Sequence, residues 1–236
     1  MFAKCSKCGW KLELGEFQRF NMRLLRFCPW CGEKYVASPD GAESPAIEVE
    51  TEAGSFVDER DGRTYRTVRI GDQVWMAENL DYGRMVPGYR DELAVGEKWC
   101  YDNNEALGYG GLYTQETALA SCPKGWHVPT DDEWRTLTQT LGGGALASLR
   151  LRSKTDWLHG CGNDVCGFSA LPAGQRRVYD DRTVFSDAGL GAYFWLADAR
   201  KQPDIIRFNS VSVKPECAET DGLKRKSGCS VRCVKD

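Results

Sequence analysis

No stretch of the 236-residue chain approaches the roughly 18 apolar residues needed to span a bilayer, so membrane insertion is not expected. The opening, Met-Phe-Ala-Lys-Cys-Ser-Lys-Cys, lacks the basic and then apolar order of a signal peptide. That absence predicts a cytoplasmic protein, with export by another route as the alternative. A strong charge of one sign is also missing: the net charge is −3, which removes any global argument for DNA, RNA or an anionic membrane as partner. Only two histidines occur, His127 and His159, and no acid or nucleophile pattern surrounds either. His127, between Trp126 and Val128, reads as a packed, hydrogen-bonded residue. There is no tandem repeat and no low-complexity tract. Finally, no cysteine lies between Cys31 and Cys100, and that gap divides the eleven cysteines into two sets.

The first set is Cys5, Cys8, Cys28 and Cys31, two C-x2-C pairs that can place four thiolates around one tetrahedral ion. Gly9 and Gly32 follow the two pairs and let the backbone turn its N–H groups toward the sulfurs. Residues 1–38 are locally basic and too few to fold on apolar burial alone, so a bound metal would supply much of their stability. Residues 39–55 carry five acids, two prolines and no base, the composition of a solvated linker. Residues 56–236 form the body, in which the other seven cysteines lie.

In the body, Thr64–Ile70 and Gln73–Ala77 are β-rich runs around Gly71-Asp72, a hairpin signal. Helix formers follow a Gly-Gly break in Leu112–Cys122. The clearest helix starts at Thr130, where Thr130 and Glu133 make a capping box and Trp134, Leu137 and Leu141 fall on one face. Gly142-Gly143-Gly144 is expected to end it. Short strands are expected at Gly167–Pro172, Ala192–Leu196, Ile205–Val213 and Ser230–Val234. Two helices in a strand-rich chain give an α+β class. The expected core is Val68, Ile70, Trp75, Met76, Leu80, Leu112, Trp126, Trp134, Leu137, Phe168, Leu171, Phe194 and Val231.

Residues 4–35 resemble a zinc ribbon, which implies structural zinc on the four cysteines. Cys-Ser-Lys-Cys-Gly-Trp and Cys-Pro-Trp-Cys-Gly also resemble rubredoxin knuckles, which hold iron, although the 19-residue spacer is short for that family. The bases Lys4, Lys7, Lys11, Arg19, Arg23 and Arg26 leave contact with nucleic acid open beside the plainer reading of a solvated face.

The body resembles another family through a collinear series of phrases. These include Val68-Arg69-Ile70-Gly71-Asp72-Gln73-Val74-Trp75-Met76-Ala77-Glu78-Asn79-Leu80, Cys100-Tyr101-Asp102-Asn103-Asn104 and Gly111-Leu112-Tyr113. Further on are Cys122-Pro123-Lys124-Gly125-Trp126-His127-Val128-Pro129, Gly167-Phe168-Ser169-Ala170-Leu171-Pro172-Ala173-Gly174 and Ser230-Val231-Arg232-Cys233-Val234-Lys235-Asp236. Together they resemble the Fibrobacter succinogenes major paralogous domain, over about 180 residues. The resemblance implies a C-type-lectin-like fold of the formylglycine-generating-enzyme branch, usually carried on exported or surface proteins. It also implies a Cys122–Cys233 bridge closing the ends of the domain. Cys161–Cys166 and Cys217–Cys229 are close enough in sequence to be loop staples. Cys100 is then left over as a free thiol, because Glu105-Ala106-Leu107-Gly108 stands where relatives carry a second cysteine. In a reducing cytosol, these body cysteines would instead be buried thiols.

Three functions follow from that resemblance. A calcium–sugar site would use Gln202-Pro203-Asp204, but no tryptophan follows Trp195 to supply the partner motif, and calcium is not expected. A formylglycine-generating activity needs a redox-active cysteine pair near the C-terminus, and Cys229-x3-Cys233 is the only close one. The third, a non-enzymatic module that binds a protein or glycan, is the favoured expectation. Its ligand-facing segment would be Trp195–Gly228, with Asp198, Arg200, Asp204, Arg207 and Asn209 as candidate contacts. Tyr193 and Trp195 are either an aromatic floor for that ligand or core. Variable receptors diversified by retroelements belong to the same branch, but the Asn, Tyr and Ser excess that marks them is not obvious from Ala197 to Lys226.

Overall fold

The computed structural model describes residues 2–4, 11–13, 50–158, 162–179, 182–197, 205–212, 221–224 and 226–236. Near the N-terminus, β1 (Phe2–Lys4) pairs antiparallel with β2 (Lys11–Glu13). The body opens with β3 (Thr51–Val57), β4 (Thr64–Ile70) and β5 (Gln73–Met76), an antiparallel meander. The hairpin expected at Gly71-Asp72 is present, with Ile70 opposite Gln73 and Gly71 at φ 59°, a conformation that favours glycine.

β3 begins five residues inside the acidic stretch read as linker. Composition misled there because β3 is an exposed edge strand: it is held by backbone pairing to β4, not by an apolar face. Its one packed side chain is Phe56, stacked on Tyr65 at 5.6 Å and on Trp126 at 4.5 Å between ring centres.

A short parallel pair, β6 (Arg84–Met85) and β7 (Glu97–Lys98), precedes α1 (Gln115–Ser121), the first α-helix among the described residues. Next come β8 (Trp126–His127) and α2 (Asp131–Thr140). The capping box read at Thr130 is made: Glu133 N donates to Thr130 Oγ1 at 3.2 Å, and Thr130 N donates to Glu133 Oε2 at 2.8 Å. A cap of this kind contributes about 1 kcal/mol.

A third helix, α3 (Gly144–Leu151), corrects the two-helix expectation. Gly142 and Gly143 stop α2 at φ 89° and 72°, but Gly144 already starts the next helix. Ala147, Leu149 and Leu151 then bury its inner side. The strand expected at Gly167–Pro172 is absent. Gly167 and Ser169 both take positive φ, which breaks an extended run, and the Ser169 backbone N–H donates to Asp164 at 2.8 Å. The sheet resumes one residue later.

It continues as β9 (Ala173–Val178), β10 (Thr183–Ala188), β11 (Gly191–Trp195), β12 (Ile205–Ser212) and β13 (Asp221–Lys224), ordered β10-β9-β11-β12-β13. The last strand, β14 (Val234–Lys235), returns to the other sheet, ordered β3-β4-β5-β14-β8. Among the described residues the architecture is thus a mixed α+β domain of three α-helices and several small sheets.

Trp75, Trp134, Phe168 and Phe194 meet at the centre of the core at ring distances of 5.4–6.1 Å, mostly edge to face. Of the expected core, Trp126 and Leu171 are only half-buried, and the others are buried. The bridge implied by the resemblance is present: Cys122, just after α1, bonds Cys233, just before β14, across 111 positions.

Candidate functional site

β11 is followed by a long segment that contains β12 and β13, two strands of the same sheet. The chain leaves at Leu196 and returns at Gly228, and both limbs are fixed by buried groups. On the outgoing side, Trp195 Nε1 donates to the Tyr113 carbonyl at 2.6 Å and Gln115 Nε2 donates to the Leu196 carbonyl at 2.6 Å. Ala197 N donates to the Pro129 carbonyl at 2.8 Å. On the returning side, Cys229 N donates to that same Tyr113 carbonyl at 3.1 Å. The limbs also bond each other, Ser230 N to Tyr193 O at 2.9 Å and Trp195 N to Ser230 O at 3.2 Å. Trp195, Leu196, Cys229, Ser230 and Val231 have no exposed surface. A rigid base therefore grips both ends of the segment.

Arg176 is the main clamp on the return limb. Its backbone exchanges two hydrogen bonds with Gly228, at 2.9 and 2.8 Å. Its fully buried guanidinium donates to the carbonyls of Lys226, Gly88 and Arg90 and to Asp91 Oδ1, and it lies 3.9 Å over the Trp99 ring. Burial lowers its pKa and the Asp91 carboxylate works against that shift. Nothing in the sequence marked this arginine, because a charged residue in a short strand reads as solvent-facing by default.

A second polar group lies on the same sheet. Gln175 is fully buried and its Nε2 donates to Asp187 Oδ2 at 2.7 Å. A carboxylate only accepts, so the amide nitrogen must face Asp187, and Gln175 Oε1 is left without a partner. Asp187 is held at φ 65°. Burial, followed by the Asp187 charge, pushes the Tyr193 phenol well up, so it stays neutral.

Of the expected ligand contacts, Arg207 and Asn209 fall on β12, paired with Gly222 and Phe194. Asp198, Arg200 and Asp204 lie outside the described residues, as do Cys5, Cys8, Cys28, Cys31, Cys161 and Cys217. Trp195 is core, not an open floor, and Tyr193 is half-buried. Cys100, Cys166 and Cys229 carry free, buried thiols. Burial pushes the first two up to about 11 and raises the third well above its usual value, so none is a ready thiolate. His127 is hydrogen-bonded, as the sequence suggests, but its partners are acids the sequence does not set around it: Glu133 and Asp236 both contact its ring. Asp236 is distant in sequence, and Glu133 was already assigned to the cap.

Among the described residues, no group of three or more His, Cys, Asp or Glu side chains is arranged to hold a metal. None of the described helices is long and apolar enough to cross a membrane. Residues 68–235 match the family described as Fibrobacter succinogenes major domain. No curated protein and no solved structure matches the chain.

Proposed function

The chain belongs to the Fibrobacter succinogenes major domain family, and from that premise we propose that its body is a C-type-lectin-like, non-enzymatic module that presents residues 197–227 to a protein or glycan ligand. The observation that carries this reading is the double grip on this segment, in which the Tyr113 carbonyl bonds both limbs and Arg176 clamps the return. Such a base lets the residues between the limbs that lie outside β12 and β13 vary without disturbing the core. The cysteines support the same reading. Cys233 is committed to Cys122 and Cys229 is buried, so Cys229-x3-Cys233 does not offer the dithiol a formylglycine-type reaction needs. A long-range disulfide favours an oxidising compartment over the cytosol.

The test is a screen of the intact chain against glycan and protein arrays, repeated with Arg200→Glu and Asp204→Arg combined. Saturable binding that the reversal abolishes, at an unchanged melting temperature, is the expected result. Binding that survives the reversal would contradict the assignment.

We also propose that the N-terminal residues form a structural zinc ribbon. β1 and β2 bracket Cys5 and Cys8, and four thiolates suit a closed tetrahedral zinc with no position open for catalysis. Elemental analysis should find one zinc per chain, lost in Cys28→Ser; a metal-free purified chain would rule the ribbon out.

A further inference from the structure

His127 holds a carboxylate at each ring nitrogen. Its Nε2 lies 2.9 Å from Glu133 Oε1 and its Nδ1 lies 2.7 Å from Asp236 Oδ1. A neutral imidazole has one N–H and one lone pair, so it donates to one carboxylate and turns a lone pair on the other. Only the imidazolium serves both. Partial burial pulls the His127 pKa down, but the hydrogen bonds and charges of Asp236 and Glu133 outweigh it and the net shift is upward.

The clamp joins three parts of the chain. Glu133 is fixed on α2, since its other oxygen accepts from both Thr130 N and Thr130 Oγ1 at 2.8 Å. Asp236 follows β14, and its backbone N–H donates to the Gly125 carbonyl at 3.1 Å. On β14, Val234 pairs with both His127 and Trp75, while Lys235 stands opposite Trp126. On β5 the neutral Gln73 donates to the Glu133 carbonyl at 3.0 Å and accepts from Trp75 Nε1 at 3.3 Å, and Lys124 lies exposed on the turn before β8. The charges acting on the ring are therefore the two carboxylates.

Cys233 immediately precedes β14 and is fully buried, and Cys122 is half-buried. Reduction needs direct approach to a sulfur. Opening the end of the sheet around Cys233 would add its buried sulfur to the half-buried Cys122 as a point of attack.

We propose that the Glu133–His127–Asp236 clamp is a pH-sensitive latch on the C-terminal strand, and that it sets how readily the Cys122–Cys233 disulfide meets a reductant. The sign follows from linkage. Because the folded pKa is raised above the ordinary value of about 6.5, the latch is fully made below about pH 6.5 and is lost as pH rises through the folded value. Glu133 does not titrate in that window. Burial raises its pKa, but the Thr130 and His127 hydrogen bonds outweigh this and hold it below the usual range.

The experiment measures the reduction rate of the intact chain and of His127→Gln by a water-soluble phosphine from pH 5.5 to 9. The phosphine supplies two electrons: the S–S bond breaks, both sulfurs end as thiols, and the phosphine leaves as its oxide with an oxygen from water. The ratio of variant to wild-type rate cancels the reductant's own pH dependence. It should be about three- to fivefold at pH 5.5 and fall toward one by pH 9. A ratio that does not change with pH overturns the proposal. Asp236→Asn, on a side chain 62% exposed, is the second variant and should shift the profile in the same direction. Independently, NMR titration should place the His127 midpoint above 6.5, and a midpoint at or below 6.5 overturns the latch.

Discussion

Replacing Cys122 and Cys233 together by serine is expected to lower the unfolding free energy by about 4–5 kcal/mol. The bridge closes a loop of 111 positions, and a cross-link of that span removes a large share of the unfolded chain's freedom. The native state adds a local reason. Cys233 lies in a buried run with Val231 and Val234, beside the return limb, so serine there also buries a hydroxyl among apolar neighbours. Denaturant titration of the two proteins reads the difference directly. A change below about 1 kcal/mol would show that the sheets hold the termini of the domain without covalent help.

Arg232→Met carries the second large effect, about 3–5 kcal/mol of destabilisation from several buried acceptors left unsatisfied. Arg232 is fully buried, with Phe168 and Phe194 against its guanidinium. It donates to Asn79 Oδ1 at 2.8 Å, to the Met76 carbonyl at 3.2 Å, to the Ser169 carbonyl at 2.9 Å and to the Phe168 carbonyl. Burial pulls its pKa down to about 9, still above neutrality, so the group stays charged. Methionine fills similar volume and avoids the desolvation of a cation, but it leaves four acceptors without donors. The orphaned acceptors outweigh that relief. Arg66→Met is the control: Arg66 is exposed and paired with Glu78 at 3.2 Å, so its loss should cost under about 1 kcal/mol. Equal melting temperatures for the two variants would contradict the assigned role of Arg232.

Signals local in sequence were legible. The Gly71-Asp72 hairpin, the Thr130 cap and the Trp134–Leu137 face depend on neighbours within a few positions, and each stands where the residues put it. The Cys122–Cys233 pair followed from the resemblance alone, since seven cysteines permit many pairings. What stayed hidden depends on the tertiary setting. Arg176 and Arg232 look like surface charges until the carbonyls that surround them are known. β3 pairs through its backbone in a stretch whose side chains are those of a linker. Gly142-Gly143-Gly144 reads as one stop, yet its last residue opens α3. For the candidate site, the segment between Trp195 and Gly228 is singled out by the resemblance alone. The grip at its base was not legible, because Tyr113, Gln115 and Arg176 are remote in sequence from the limbs they hold.

The measurement closest to the central claim replaces Asp198, Arg200, Asp204, Arg207 and Asn209 together by serine and follows both array binding and the thermal melt. If residues 197–227 are a presented surface on an independent base, binding is lost and the melt keeps its midpoint and cooperativity. Retained binding, or a collapse of the melt, would mean that the segment belongs to the folding core and that recognition, if the protein has it, lies elsewhere.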